Sequence, residues 1–99
     1  MLRELDVNNF DEEAGKGLKV IEFYTTWCSF CKKQQTELEK MDKVWIGQID
    51  ADNNSELASK YNVNAFPTFV VLKDSKEIGR ISGYHTKENL MDKLIKYIK

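Results

Sequence analysis

Ninety-nine residues suit one small domain, 1–99, with a single hydrophobic core. Hydrophobic residues make up 41% and charged residues 31%, a balance that argues against disorder. With 15 basic against 16 acidic side chains the net charge is −1, so no basic field invites nucleic acid.

In chain order, the opening MLRELDVNNFDEE is polar and acidic and lacks the apolar core of a secretion signal. The apolar runs are far shorter than the roughly 20 residues needed to span a bilayer. A cytoplasmic location away from membranes is the expectation. Leu2 to Val7 reads as a short edge strand. Asn8 or Asn9 is expected to cap a helix over Phe10 to Gly15, which Gly15 and Gly17 end. LKVIEFYT, Leu18 to Thr25, is a strand apolar on both faces, as in a central strand covered by helices. A helix is expected from near Cys28 to about Met41. Its middle, KKQQTELEK, is polar, with Leu38 and Met41 as anchors. Lys43 to Asp50 is the next strand, and Ser55 to Tyr61 a short helix capped by Asn54 or Ser55. Thr68 to Lys73 and Glu77 to Ser82 read as a hairpin about Asp74–Ser75. The last helix starts near Thr86, with Leu90, Met91, Leu94, Ile95 and Ile98 as a stripe facing the sheet. Strands alternating with helices imply an α/β fold: a mostly parallel sheet between helix layers, with a C-terminal antiparallel hairpin.

The stretch WCSFC holds the only two cysteines, Cys28 and Cys31. At i and i+3 on a first helical turn they lie on the same side and can close a small disulfide ring. Cys28 sits at or next to the N-cap, where unpaired N–H groups and the helix dipole favour a thiolate. Cys31, one turn in, is more buried and holds its proton. An activated thiol beside a held-back one is what disulfide exchange needs. In a reducing compartment such a pair is more often catalytic or metal-binding than a structural staple. A structural zinc wants four ligands, and here there is one pair plus the lone His85, leaving a bridging site across two chains. Two inert buried side chains are the third possibility.

WCSFC following VIEFYTT resembles the thioredoxin family, whose usual motif is WCGPC. The resemblance covers essentially the whole chain. Glu22 lies six residues before Cys28, where the family carries a buried acid. Phe66-Pro67-Thr68 resembles the family's Ile-Pro-Thr, and Gly83 matches a glycine of its substrate groove. Ser29-Phe30 departs from Gly-Pro, Thr36 replaces a common helix-kinking proline, and Gln48 stands where a lysine commonly pairs with the buried acid.

The resemblance implies a thioredoxin fold and a protein-disulfide reductase that needs no bound cofactor or metal, because the dithiol carries both electrons. Cys28 would be the nucleophile, Cys31 the resolving thiol and Glu22 the buried proton acceptor. Glu22 shares a strand face with Val20 and Tyr24, and a buried carboxylate without a cation has its pKa raised. Phe66–Pro67 would be cis and face the cysteines. Trp27, Phe30, Phe66, Pro67, Gly83 and Tyr84 would contact extended segments of disulfide-containing proteins. Trp45 is expected to pack structurally, and His85 to sit near the last helix's cap. The implied partners are those substrates and a separate flavin-dependent thioredoxin reductase, with the chain working as a monomer. Two alternatives are a thioredoxin-fold oxidase or isomerase, which the Ser-Phe pair would favour, and a non-catalytic binding module using the apolar rim.

Overall fold

The computed structural model describes residues 1–98. Its elements are β1 (Leu2–Leu5), α1 (Phe10–Ala14), β2 (Leu18–Tyr24), α2 (Ser29–Leu38), β3 (Ile46–Asp50), α3 (Ser55–Lys60), β4 (Thr68–Lys73), β5 (Lys76–Ser82) and α4 (Lys87–Ile98). Their order is the expected one. The strands form one mixed sheet in the order β1-β3-β2-β4-β5. β1 and β2 both run parallel to β3, whereas β4 is antiparallel to both β2 and β5. The sheet is therefore mixed as expected: β1, β2, β3 and β5 run one way, and β4 alone is reversed between β2 and β5.

Strand alternation sorts the core into two layers. Ile21 and Phe23 face one way, with Phe10 and Ala14 of α1 and Leu57 and Ala58 of α3. Val20 faces the other way, with Leu38 of α2 and Leu90 and Leu94 of α4. One register row on this second face matters for chemistry. Glu4 of β1 pairs with Gln48 of β3, and Gln48 pairs with Glu22 of β2. Glu22 then pairs with Phe69 of β4, and Phe69 with Ile81 of β5. The row passes from polar to apolar across the sheet.

Several ends differ from expectation. β1 stops at Leu5 because Asp6 folds a turn: its Oδ1 accepts from the Asn8 and Asn9 amides, and Asn9 Oδ1 accepts from the Asp6 amide at 2.8 Å. Asn9 occupies the N-cap of α1 without capping it through its side chain. Asn54 behaves alike at α3. Its side chain instead ties the Asp50 carbonyl to the Val7 amide. α2 gives way at Leu38 to turns through Met41 and Val44, so β3 starts at Ile46, not Lys43.

The hairpin turn holds Asp74 and Ser75 at φ 49° and 74°, the left-handed pair that matches strand twist. Thr86 caps α4 through Oγ1 to the Asn89 amide at 3.2 Å. The α4 stripe needs correction: Leu90 and Leu94 are buried and Met91 half-buried, but Ile95 and Ile98 are exposed. Met91 and Tyr97, both half-buried, pack beside Leu90 and Leu94. The Tyr97 ring lies against Gly79 of β5, where any side chain would collide with it.

Candidate active site

β2 ends at Tyr24, and Thr25 to Trp27 carry the chain to Cys28, the N-cap of α2. An N-cap residue turns its side chain back over the free amides of the first helical turn. Here the cap acceptor is sulfur: Cys28 Sγ accepts from the Cys31 amide at 3.2 Å. Cys28 Sγ also lies 3.5 Å from the Phe66 carbonyl oxygen. Both cysteines carry free thiols, buried at 9% and 5% exposure.

Cys31 and Glu22 line one cavity of about 290 Å³, with Thr25, Gln35, Gln48, Tyr24, Glu4, Thr26 and Lys32. Burial pushes the Cys31 thiol up to about 12, and its hydrogen bond to Cys28 adds to the rise. Glu22 is 1% exposed. Desolvation raises its carboxyl to about 7, against a hydrogen bond from Gln48 that pulls it down. Gln48 Nε2 donates to Glu22 Oε1 at 2.9 Å and to Gln35 Oε1 at 2.6 Å. At the cavity's edge Tyr24 donates to Glu4 Oε2 at 2.8 Å. Burial raises both of those groups as well. Thr25 Oγ1, on the same cavity wall, is a buried side-chain oxygen with no hydrogen-bond partner among the described residues.

On the outer side, Trp27, Cys28, Ser29, Phe30, Asn64, Ala65 and Phe66 line a groove of about 430 Å³. Trp27 is 68% exposed and Phe30 57%. Trp27 donates from Nε1 to Asp52 Oδ2 at 2.8 Å and stands edge-on to Phe66, with centroids 6.4 Å apart. Phe66–Pro67 is cis. Pro67 is buried, and its carbonyl accepts from the Gly83 amide at 2.8 Å. Gly83 has φ 92° with open space where a Cβ would project, so conformation rather than room selects glycine there. Tyr84 does not line this groove; it lies half-buried beneath Lys33, whose Nζ is 4.8 Å from the ring centroid. His85 is cap-adjacent and bonds the Gly83 carbonyl through Nδ1 at 2.8 Å. Trp45 packs on the core under Lys19.

Sequence reasoning missed Gln34, Gln35 and Asp52. Gln34 is fully buried and holds both the amide and the carbonyl of His85 at 2.9 Å. The available signal was spacing: positions 31, 34 and 38 make the inward face of α2. Asp52 gave none, because its role depends on how two loops meet.

Residues 1–96 match the family model described as Thioredoxin. Thioredoxin from Staphylococcus haemolyticus is 35% identical over 96 residues, covering 92% of each chain. That from Staphylococcus aureus is 34% identical over 95 residues, covering 91% of each. Among solved structures, Fasciola hepatica thioredoxin aligns with a TM-score of 0.81 at 32% identity, over 95% of this chain and 97% of its own. Malassezia sympodialis thioredoxin reaches 0.86 at 26% identity, over 100% and 92%. With a family model spanning nearly all of it and relatives above 30% identity over nine-tenths of each chain, this chain belongs to the thioredoxin family and is a thiol–disulfide oxidoreductase.

Proposed function

We propose that the chain works as one domain and a monomer in the cytoplasm, reducing disulfides of protein substrates, and is recharged by a flavin-dependent reductase. The observation that carries the reading is the asymmetry of the two thiols. Cys28 caps the helix with its sulfur toward the outer groove, whereas Cys31 faces an inner cavity shared with a carboxyl near neutrality.

An extended substrate segment lies in the groove against Trp27, Phe30 and Phe66 and continues past its edge toward Pro67 and Gly83. Cys28 thiolate attacks one sulfur of the substrate disulfide. That S–S bond breaks, the leaving sulfur takes a proton from solvent, and a mixed disulfide forms. Glu22 carboxylate then accepts the proton of Cys31, which cannot ionise unaided near pH 7. Cys31 attacks Cys28 Sγ, the mixed disulfide breaks, and the second substrate sulfur leaves reduced. The two electrons have moved to the substrate and Cys28–Cys31 is oxidised.

Replacing Cys31 by Ser tests this directly. The variant retains the nucleophile and lacks the resolving step. It should accumulate mixed disulfides with protein substrates through Cys28, visible on non-reducing gels and reversed by dithiothreitol, and lose multiple-turnover reduction. A binding module would hold its partners equally well with or without Cys31 and form no such adducts.

A further inference from the structure

Glu22 is held by an amide, and the orientation of that amide decides which protonation state it favours. A primary amide has a donating end and an accepting end. Gln48 turns its nitrogen to Glu22, which stabilises the carboxylate. Rotated by half a turn it would offer its carbonyl, which only a protonated Glu22 can use as a donor.

The second acceptor on that nitrogen is Gln35 Oε1, at 2.6 Å. In the rotated state two oxygens, from Gln48 and Gln35, would face each other with no hydrogen between them. Gln35 is itself oriented: its Nε2 donates to Glu39 Oε2, 3.4 Å away at the C-cap of the same helix. The chain thus runs with fixed polarity from the surface carboxylate at the α2 C-cap to the buried one of β2.

The other groups around Glu22 do not fix Gln48. α2 brings Cys31 and the exposed Lys32 to the cavity wall, β2 brings Tyr24 and β1 brings Glu4. Asp50 pairs with Tyr24 at the end of β3. β4 presents Phe69, and α4 contributes Leu90 and Leu94 to the same face.

We propose that Gln35 is a positioning residue: its side-chain carbonyl locks Gln48 as a donor toward Glu22, and so sets the proton affinity of the group that deprotonates Cys31. The inference rests on the base role given to Glu22 above. It ties that base to the helix that carries both sulfurs, so the dithiol and its base share one hydrogen-bonded frame.

The test is a carbon-13 NMR titration of the Glu22 carboxyl in the reduced protein. Gln35→Met keeps the length and helix propensity of glutamine and removes the strong acceptor. Its Glu22 midpoint should rise by about half a unit to one unit, the worth of one hydrogen bond redistributed between protonation states. Gln35→Ala, which also lacks the acceptor, should move it the same way. Gln48→Met, which removes the donor itself, should raise it at least as far. The pH profile of mixed-disulfide resolution, followed in a single turnover, should shift alkaline with the midpoint. If both Gln35 variants leave the midpoint at its wild-type value while Gln48→Met raises it, the positioning claim fails and the base role stands. If Glu22→Gln resolves mixed disulfides as fast as wild type, the base role fails, and with it the catalytic meaning of the lock.

Discussion

Glu22 sets what burial costs against what proton transfer gains. Its carboxyl sits at about 7 in the fold, against an ordinary 4.5 when solvated. Below pH 4.5 the group is protonated in the folded and unfolded chain alike and contributes no difference. Between 4.5 and 7 the unfolded chain releases a proton that the fold retains, so stability falls as pH rises. The loss totals roughly 3 kcal/mol and persists above pH 7. Glu22→Gln keeps the shape and still offers Gln48 a carbonyl, but never ionises. It should therefore be more stable than wild type by roughly 2–3 kcal/mol at pH 8, with the gap closing toward pH 4.5. Urea unfolding at the two pH values measures this, and a pH-independent gap would contradict it. The buried acid was legible in the sequence mostly from the resemblance, which places a buried acid six residues before Cys28, with the strand face it shares with Val20 in support. Its tuning was not. KKQQTELEK shows two adjacent glutamines, and only the path of α2 beneath the sheet decides that Gln34 holds the His85 backbone while Gln35 meets Gln48.

Among elements, α4 shows how one glycine redirects a helix. The spacing of Leu90, Met91, Leu94, Ile95 and Ile98 describes a broad apolar face, and periodicity alone cannot say which edge of it packs. The sheet decides: Gly79 leaves a gap on β5, and Tyr97 fills it. The helix is thereby rotated so that Leu90, Met91, Leu94 and Tyr97 pack inward and Ile95 and Ile98 face solvent. Gly79→Ala should cost about 1–3 kcal/mol, either by strain or by expelling the Tyr97 ring. If expulsion is the mechanism, Tyr97→Ala removes the obstacle. The double variant should then be clearly more stable than the sum of the single losses predicts. A double-mutant cycle from denaturant midpoints measures the coupling, and strict additivity would show that Gly79 and Tyr97 do not constrain each other. The same limit explains the other misplaced ends. Asn54 looks like an ordinary polar loop residue, yet its side chain joins the Asp50 carbonyl to the distant Val7 amide, and such a pairing is invisible without the fold.

Across the whole molecule, the site occupies the crevice that strand order creates. β2 and β3 are parallel neighbours at the centre of the sheet, but β2 leads into α2 on one face and β3 into α3 on the other. The two connections diverge at the carboxyl ends of the strands, the place where open α/β sheets present their chemistry. The Trp27–Asp52 hydrogen bond spans that divergence, joining the loop after β2 to the loop after β3. The sulfurs therefore hang from the central strand, whose middle four residues are all buried. Within β2 and β4, Phe23, Phe69, Val70, Val71 and Leu72 are fully buried, whereas β5 shows only Ile81 buried and β1 is four residues long. This gradient predicts two classes of native-state hydrogen exchange. Ladder-bonded amides of β2 and β4 should open only with global unfolding, with opening free energies that fall with denaturant at the full unfolding slope. Bonded amides of β5 should exchange through local openings of lower free energy that barely respond to denaturant. If β2 amides opened as readily as those of β5, the cysteines would hang from a mobile support. The fixed geometry that orients Cys28 to its groove and Cys31 to Glu22 would then have to come from α2 alone.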